Sequence, residues 1–293
     1  MIIQLLVNGI INGCGYALVA LGFAFIYNTT RTFHFAHGAV YTLSAYFFYT
    51  FYNLLNWSLS LSAILTLGLI ALCGILIDDV IYTPLVKQGA SLFIQMLSSL
   101  GLYIVIINFI AMVFQSETKI LNPEVQATYS IGNVILTRIQ IVTTATFVII
   151  FGLLMTILKK TYLGKVIRAM RDNPDLVSAM GINPQNVRRV VFALGSALAS
   201  VSAILIGLDV GIDPHIGLTA FLNGAVAVII GGVGIFEGAA LGAILLGLLQ
   251  SFAIWKISAR WQELITFLLL ILFLLFRSEG ILGKRRRIEE AKI

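Results

Sequence analysis

Residues 1–27 read MIIQLLVNGIINGCGYALVALGFAFIY, and the stretch holds no charged side chain. Wound as a helix it extends about 40 Å, more than the ~30 Å of hydrocarbon in a bilayer. Backbone N–H and C=O groups in lipid must be bonded internally, so an apolar run of this length implies a helix and not a strand. It carries no positive charge ahead of it and exceeds the apolar length of a secretory leader. It therefore reads as a retained first span.

The pattern recurs along the chain. Apolar segments lie at 2–27, 36–52, 60–82, 91–114, 139–158, 190–208, 217–231, 238–255 and 261–276. Composition agrees, with 59% hydrophobic and 11% charged residues, where soluble domains carry about 25% charged. The fold class expected is all-α, a polytopic transmembrane helical bundle of eight or nine spans, and residues 1–293 read as one membrane domain. Segment 217–231 rises only about 22 Å and segment 36–52 is similarly marginal, so either is a candidate broken or re-entrant helix. Cys14 and Cys73 both sit in apolar runs and read as packing residues, not as a disulfide.

Basic residues set an orientation. With the N-terminus outside, the inner side holds Arg31, Lys87, Lys159, Lys160, Lys165, Arg168, Arg171, Arg188, Arg189, Arg277, Lys284, Arg285, Arg286, Arg287 and Lys292. The outer side holds Lys119, Arg138, Lys256 and Arg260. The positive-inside rule selects this arrangement, with the C-terminus cytoplasmic, in a bacterial inner membrane. The net charge of +6 then faces anionic membrane lipid, and nucleic acid is not an expected partner.

The inner segment 159–189 carries seven basic and two acidic residues. Its punctuation predicts a short capped helix. Asn173 is an N-cap, Pro174 fits the first helical position, and Asp175 complements the positive helix end. Leu176, Val177 and Met180 form an apolar stripe, and Gly181 is placed to stop the helix. Two turns are not stable alone in water, so the stripe must rest on something, either the membrane surface or a cytosolic partner.

Residues Arg168-Ala169-Met170-Arg171-Asp172-Asn173-Pro174-Asp175 and Ala179-Met180-Gly181-Ile182-Asn183 resemble the cytosolic loop of the branched-chain amino-acid permeases of ATP-binding-cassette importers, the LivH/LivM type. Phe35-Ala36-His37-Gly38, the glycine-rich Gly231-Gly232-Val233-Gly234 with Gly238 and Gly242, and Phe276-Arg277-Ser278-Glu279-Gly280-Ile281-Leu282-Gly283 resemble further segments of that family in the same order. The likeness runs over essentially the whole chain and suits the shorter, LivH-like permease. It implies that 168–183 is a coupling segment seated in a groove of the ATP-binding subunit. It also implies two such cytosolic subunits, a second homologous permease and an extracytoplasmic solute-binding protein. ATP and magnesium would be bound by those partners, with no cofactor in this chain. His34 stands where the family commonly has Asn, and Asn223 lies in a segment usually more apolar.

Polar residues within spans are candidates for a solute path. Gln4, Asn8 and Asn12 recur at i, i+4 and i+8 on one helix face, and Asn223 joins them as a candidate. The plainer alternative is helix–helix hydrogen bonding, about 0.6–2 kcal/mol each. Gly9, Gly13, Gly234, Gly238 and Gly242 read as helix-packing positions, with 231–234 equally able to form a bend. His34 and His37 have no Cys, Asp or Glu at ligand spacing, so no metal site is expected. Asp78 and Asp79 are candidates to pair with Lys87 or Arg31, and Asp209, Asp213 and His215 mark a short outer loop.

The sequence contains no G-x-x-x-x-G-K-[ST] phosphate loop, so ATP hydrolysis belongs to a separate subunit and the chain is not itself an enzyme. The expected function is a permease subunit for branched-chain or other neutral amino acids. Urea or short amides are an alternative within the same family. A stand-alone channel or secondary carrier is the alternative outside it, although ion-coupled carriers usually hold ionisable residues at mid-span and this chain has almost none.

Overall fold

The computed structural model describes residues 1–121, 127–132, 134–256, 258, 261–277 and 279–283. Arg260, Ser278, Lys284, Arg285, Arg286, Arg287 and Lys292 lie outside the described residues.

Every apolar run of the sequence becomes a helix. α1 spans Ile2–Thr30 and α2 Ala36–Tyr49, the latter continued by a π turn, Thr50–Leu54. α3 (Leu59–Ile77), a second π turn (Asp78–Tyr82) and α4 (Thr83–Lys87) form one continuous rod. α5 is Leu92–Phe114. A hairpin of β1 (Thr128–Ile131) and β2 (Val134–Thr137) follows, antiparallel with Thr128 opposite Thr137. α6 (Arg138–Lys160), α7 (Tyr162–Asp172), α8 (Pro174–Ala179) and α9 (Pro184–Val210) come next. α10 (Ile216–Gly231), α11 (Phe236–Lys256) and α12 (Gln262–Phe276) complete the order. Among the described residues, six helices are long and apolar enough to cross a membrane, and α10 and α12 are apolar but shorter.

α1 is the axis of the bundle. It packs on α6, α7, α9, α10 and α11, and 78% of its apolar window is buried, against 22% for α3, α5 and α6. Lipid offers no hydrophobic reward for joining two apolar helices, so close backbone packing must supply the attraction. Gly9 and Gly13 allow this. A Cβ on Gly9 would lie 2.8 Å from Leu248 Cα, and one on Gly13 would lie 2.6 Å from Ile244 Cα.

The short second span has a physical explanation. Gly22 of α1, eight residues and about 12 Å from that helix's end, faces the His37 ring in the first turn of α2. α2 therefore starts inside the bundle, and the non-helical residues 31–35 complete the crossing. Irregular backbone at this depth survives only when protein satisfies it. Ser99 accepts the Phe35 N–H at 3.0 Å and donates to the Phe33 carbonyl at 3.2 Å. Thr32 donates to Gln95 at 2.9 Å, and His34 Nδ1 meets the Tyr82 hydroxyl at 2.6 Å. The first turns of α2 and α10 then touch through Gly38 and Gly217, and Thr42 Oγ1 accepts the Gly217 N–H at 3.2 Å.

Charge is segregated. Among the described residues, Arg31, Lys87, Lys159, Lys160, Lys165, Arg168, Arg171, Arg188, Arg189 and Arg277 lie toward one end of the bundle, the basic end. Lys119, Arg138 and Lys256 lie toward the other.

Candidate functional site

The segment between α6 and α9 forms a bracket on the basic end. Thr161 closes α6 by donating to the Ile157 carbonyl at 2.7 Å and opens α7 by accepting the Gly164 N–H at 3.1 Å. Gly164 lies against the carbonyls of Ile157 and Leu158 with no room for a Cβ. Arg168 donates to the Leu158 carbonyl, covering an orphan acceptor at the end of α6. α7 itself was not expected in what reads as a polar loop. Its signal is the spacing of Leu163, Val166, Ile167 and Met170, of which the last three are buried.

α8 follows at Asn173, whose side chain accepts the N–H groups of Asp175 and Leu176, both at 3.1 Å. The helix stops at Met180, and Gly181 takes φ +78°. The apolar stripe divides. Val177 is 1% exposed and turned into the protein, whereas Leu176 and Met180 are 57% and 69% exposed. Met180 has already left the helix as its C-cap, so helical spacing no longer fixes its direction.

The bracket is tied down by charge. Arg171 Nη1 donates to the Gly234 carbonyl at 2.7 Å, and its Nε pairs with Asp172 at 2.8 Å. Arg31 donates to the Arg171 carbonyl at 3.4 Å. Gly234 sits in the α10–α11 turn with φ +94° and open space around it, so its role there is conformational and not helix packing. Its N–H goes to the buried Asn28 Oδ1 at 3.0 Å. Lys159 reaches Glu237 just beyond the turn at 2.9 Å. The N–H groups of Ile281 and Leu282 go to the carbonyls of Ile230 and Gly231. Gly238 and Gly242 press on the backbone of Gly231 and Ala227, joining α10 to α11.

Asp78 and Asp79 pair with neither Lys87 nor Arg31. Arg188 Nη2 donates to Asp78 at 2.5 Å and Arg189 Nε to Asp79 at 2.9 Å. Gln185 donates to both carboxylates. The π turn presents the two carboxylates to the first turns of α9, which brings partners 110 residues apart together.

The candidate path residues do not converge. Gln4 donates to Asn8 at 2.9 Å and exchanges two hydrogen bonds with Ile135, holding the β-hairpin to α1. Asn12 is exposed. Asn223 belongs to a buried cluster elsewhere. Its Oδ1 accepts from Gln250 at 3.1 Å and Thr266 at 3.0 Å, and Gln262 bridges Gln250 to the Tyr16 hydroxyl. Gln250 and Thr266 escaped sequence reading, although a lone amide inside the 238–255 run was the available signal. Among the described residues, no group of three His, Cys, Asp or Glu side chains could hold a metal ion.

A nearly all-helical membrane bundle with this bracket matches a known family model over residues 5–274, described as branched-chain amino acid transport system, permease component. The chain belongs to that family. The high-affinity branched-chain amino acid transport system permease protein BraD of Pseudomonas aeruginosa is 32% identical to this permease over 298 residues, covering 96% of each chain. The corresponding protein LivH of Escherichia coli K12 is 28% identical over 297 residues, again covering 96% of each. The relatives are transport subunits, and the permease is a multi-pass membrane protein.

Proposed function

We propose that this permease is the membrane-spanning subunit of an ATP-binding-cassette importer for branched-chain or other neutral amino acids, and that residues 168–183 are the seat of a separate cytosolic ATPase. The observation that carries the reading is the exposure of the apolar Leu176 and Met180 on a short helix that Asn173 caps and the buried Val177 holds against the protein. Both exposed side chains are already partly covered, so completing their burial contributes roughly 2–4 kcal/mol before association costs, enough for the anchor of a polar interface. Asp175 lies beside them in an exposed position and offers charge to a basic groove. Arg168 and Arg171 serve the bracket internally.

The crowding of basic residues at the bracket end supports a cytoplasmic position for it, with Met1 on the outer side and an inner-membrane location. Two cytosolic ATP-binding subunits, a second permease and an extracytoplasmic binding protein complete the assembly, the ATPase subunits holding ATP and magnesium. The names of the relatives support branched-chain amino acids as substrates. Uptake of labelled leucine into vesicles carrying the assembled complex tests the reading. Uptake should require ATP inside the vesicle, whereas a channel or ion-coupled carrier would transport without it.

A further inference from the structure

The non-helical residues 31–35 raise a question of solvent. Phe33 to Phe35 lie at membrane depth, since Ser99, which holds Phe33 and Phe35, is seven residues and about 10 Å inside the start of α5. His34 faces Tyr82 and Phe192, and both Thr32 and His34 are fully buried. Phe33 and Phe35, however, are only half-buried. α5 and α10 each pack on α2, yet neither covers Phe33 and Phe35 completely, so one side of the linker is left uncovered. Irregular backbone does not face lipid. It occurs at this depth only inside protein or along a water-filled cavity.

The uncovered side is aromatic. Phe33 packs on Phe35, Tyr27, Phe23 and Phe221 with ring centroids 5.1–5.9 Å apart, and Phe35 reaches Phe221 at 5.3 Å. We infer that Phe33 and Phe35 form a wall of the solute path near its cytoplasmic end and contact the apolar side chain of the translocated amino acid. This rests on the importer reading above. An aromatic wall without charge suits a neutral solute with an aliphatic side chain. The wall is also mechanically connected, because Arg31 at the start of the linker donates to the Arg171 carbonyl of the bracket. Movement of the bracket would be passed to the linker through that residue.

Cysteine replacement in the assembled complex tests the assignment, in a background with Cys14 and Cys73, both free thiols, replaced by serine. Phe33→Cys and Phe35→Cys should react with a charged methanethiosulfonate about tenfold or more faster than Phe109→Cys, whose side chain is exposed on α5, because only a wetted thiol ionises. The rate should change with nucleotide and fall when leucine is present. Equal and negligible labelling at 33, 35 and 109 in every nucleotide state would overturn the inference, as would crosslinking of 33 or 35 to the second permease with no reaction toward the charged reagent. If a cysteine variant fails to assemble, Phe35→Leu gives a second reading. The half-saturating concentration for leucine should rise about three- to tenfold relative to that for alanine, and an unchanged ratio would count against the wall. ATP-dependent uptake by the parent complex is measured alongside. If it is present without labelling, only the wall is lost. If it is absent, the importer reading fails first.

Discussion

Arg171 donates a 2.7 Å hydrogen bond to the carbonyl of Gly234, tying the bracket directly to the turn between α10 and α11. The same turn receives Asn28 from the end of α1, Glu237 paired with Lys159 of α6, and the chain that follows α12. Four parts of the bundle are thus joined at one corner, beside the proposed ATPase seat. A rigid-body displacement of the bracket cannot occur without loading this turn.

Arg171→Ala removes the bond to Gly234 and its pair with Asp172. A hydrogen bond to a charged group contributes about 1.5–3 kcal/mol, too little to unfold the bundle. The variant should insert and retain its ATPase, yet transport less solute per ATP hydrolysed. Parallel assays of ATP turnover and uptake read this ratio, and an unchanged ratio would remove the corner from the transmission route.

Gly181 stops α8 at φ +78°, a left-handed conformation that costs other residues roughly 1–2 kcal/mol, most for β-branched ones. Gly181→Val should weaken co-purification of the ATPase while leaving membrane insertion intact. Gly181→Asn, which tolerates that backbone better, should be close to the parent. Normal assembly of the valine variant would mean the end of α8 does not shape the docking surface.

Asp78 and Arg188 form a buried pair, with side chains 0% and 9% exposed. Asp78→Asn leaves a buried guanidinium without its counter-charge, a loss of about 3–5 kcal/mol. Asp79→Asn breaks a pair that is partly exposed and screened, and should cost less than about 1 kcal/mol. Thermal unfolding in detergent, followed variant by variant, should separate the two clearly. Similar midpoints would show that the buried pair does not anchor α9 to α3.

Gly13 faces Ile244 so closely that any side chain must separate α1 from α11. Gly13→Val should abolish accumulation of folded protein in the membrane, because the displaced element is the axis of the bundle. Recovery of normal levels in a membrane fraction would show that the α1–α11 contact is dispensable.

The spanning helices were legible in the sequence because each lies in a long, largely apolar run, and Asn173-Pro174 with Gly181 spelled out α8. The rest depended on distant partners. Residues 31–35 include Arg31, Thr32 and His34 and look locally like a surface turn. Thr32 to Phe35 lie inside the bundle only because Gln95, Ser99 and Tyr82 satisfy them from more than forty residues away. The choice of Arg188 and Arg189 by Asp78 and Asp79 is likewise invisible to a local window. α7 hid because its apolar positions, Leu163, Val166, Ile167 and Met170, are interleaved with Lys165, Arg168 and Arg171 in a segment that reads as polar overall. Gln4 and Asn223 looked alike in sequence, and only packing shows that one holds a hairpin and the other closes an amide cluster.

The central claim is that this chain presents Leu176 and Met180 to a cytosolic ATPase. The most direct measurement is affinity purification from its native membrane in mild detergent, with mass spectrometry, for the parent chain and for the Leu176→Asp, Met180→Asp double variant. The expected result is recovery of an ATP-binding subunit and a second permease with the parent, and loss of the ATP-binding subunit from the variant although the variant is present in the membrane. Recovery of the parent alone, under conditions that keep another importer of this class intact, would contradict the account. So would an ATPase that stays bound to the double variant.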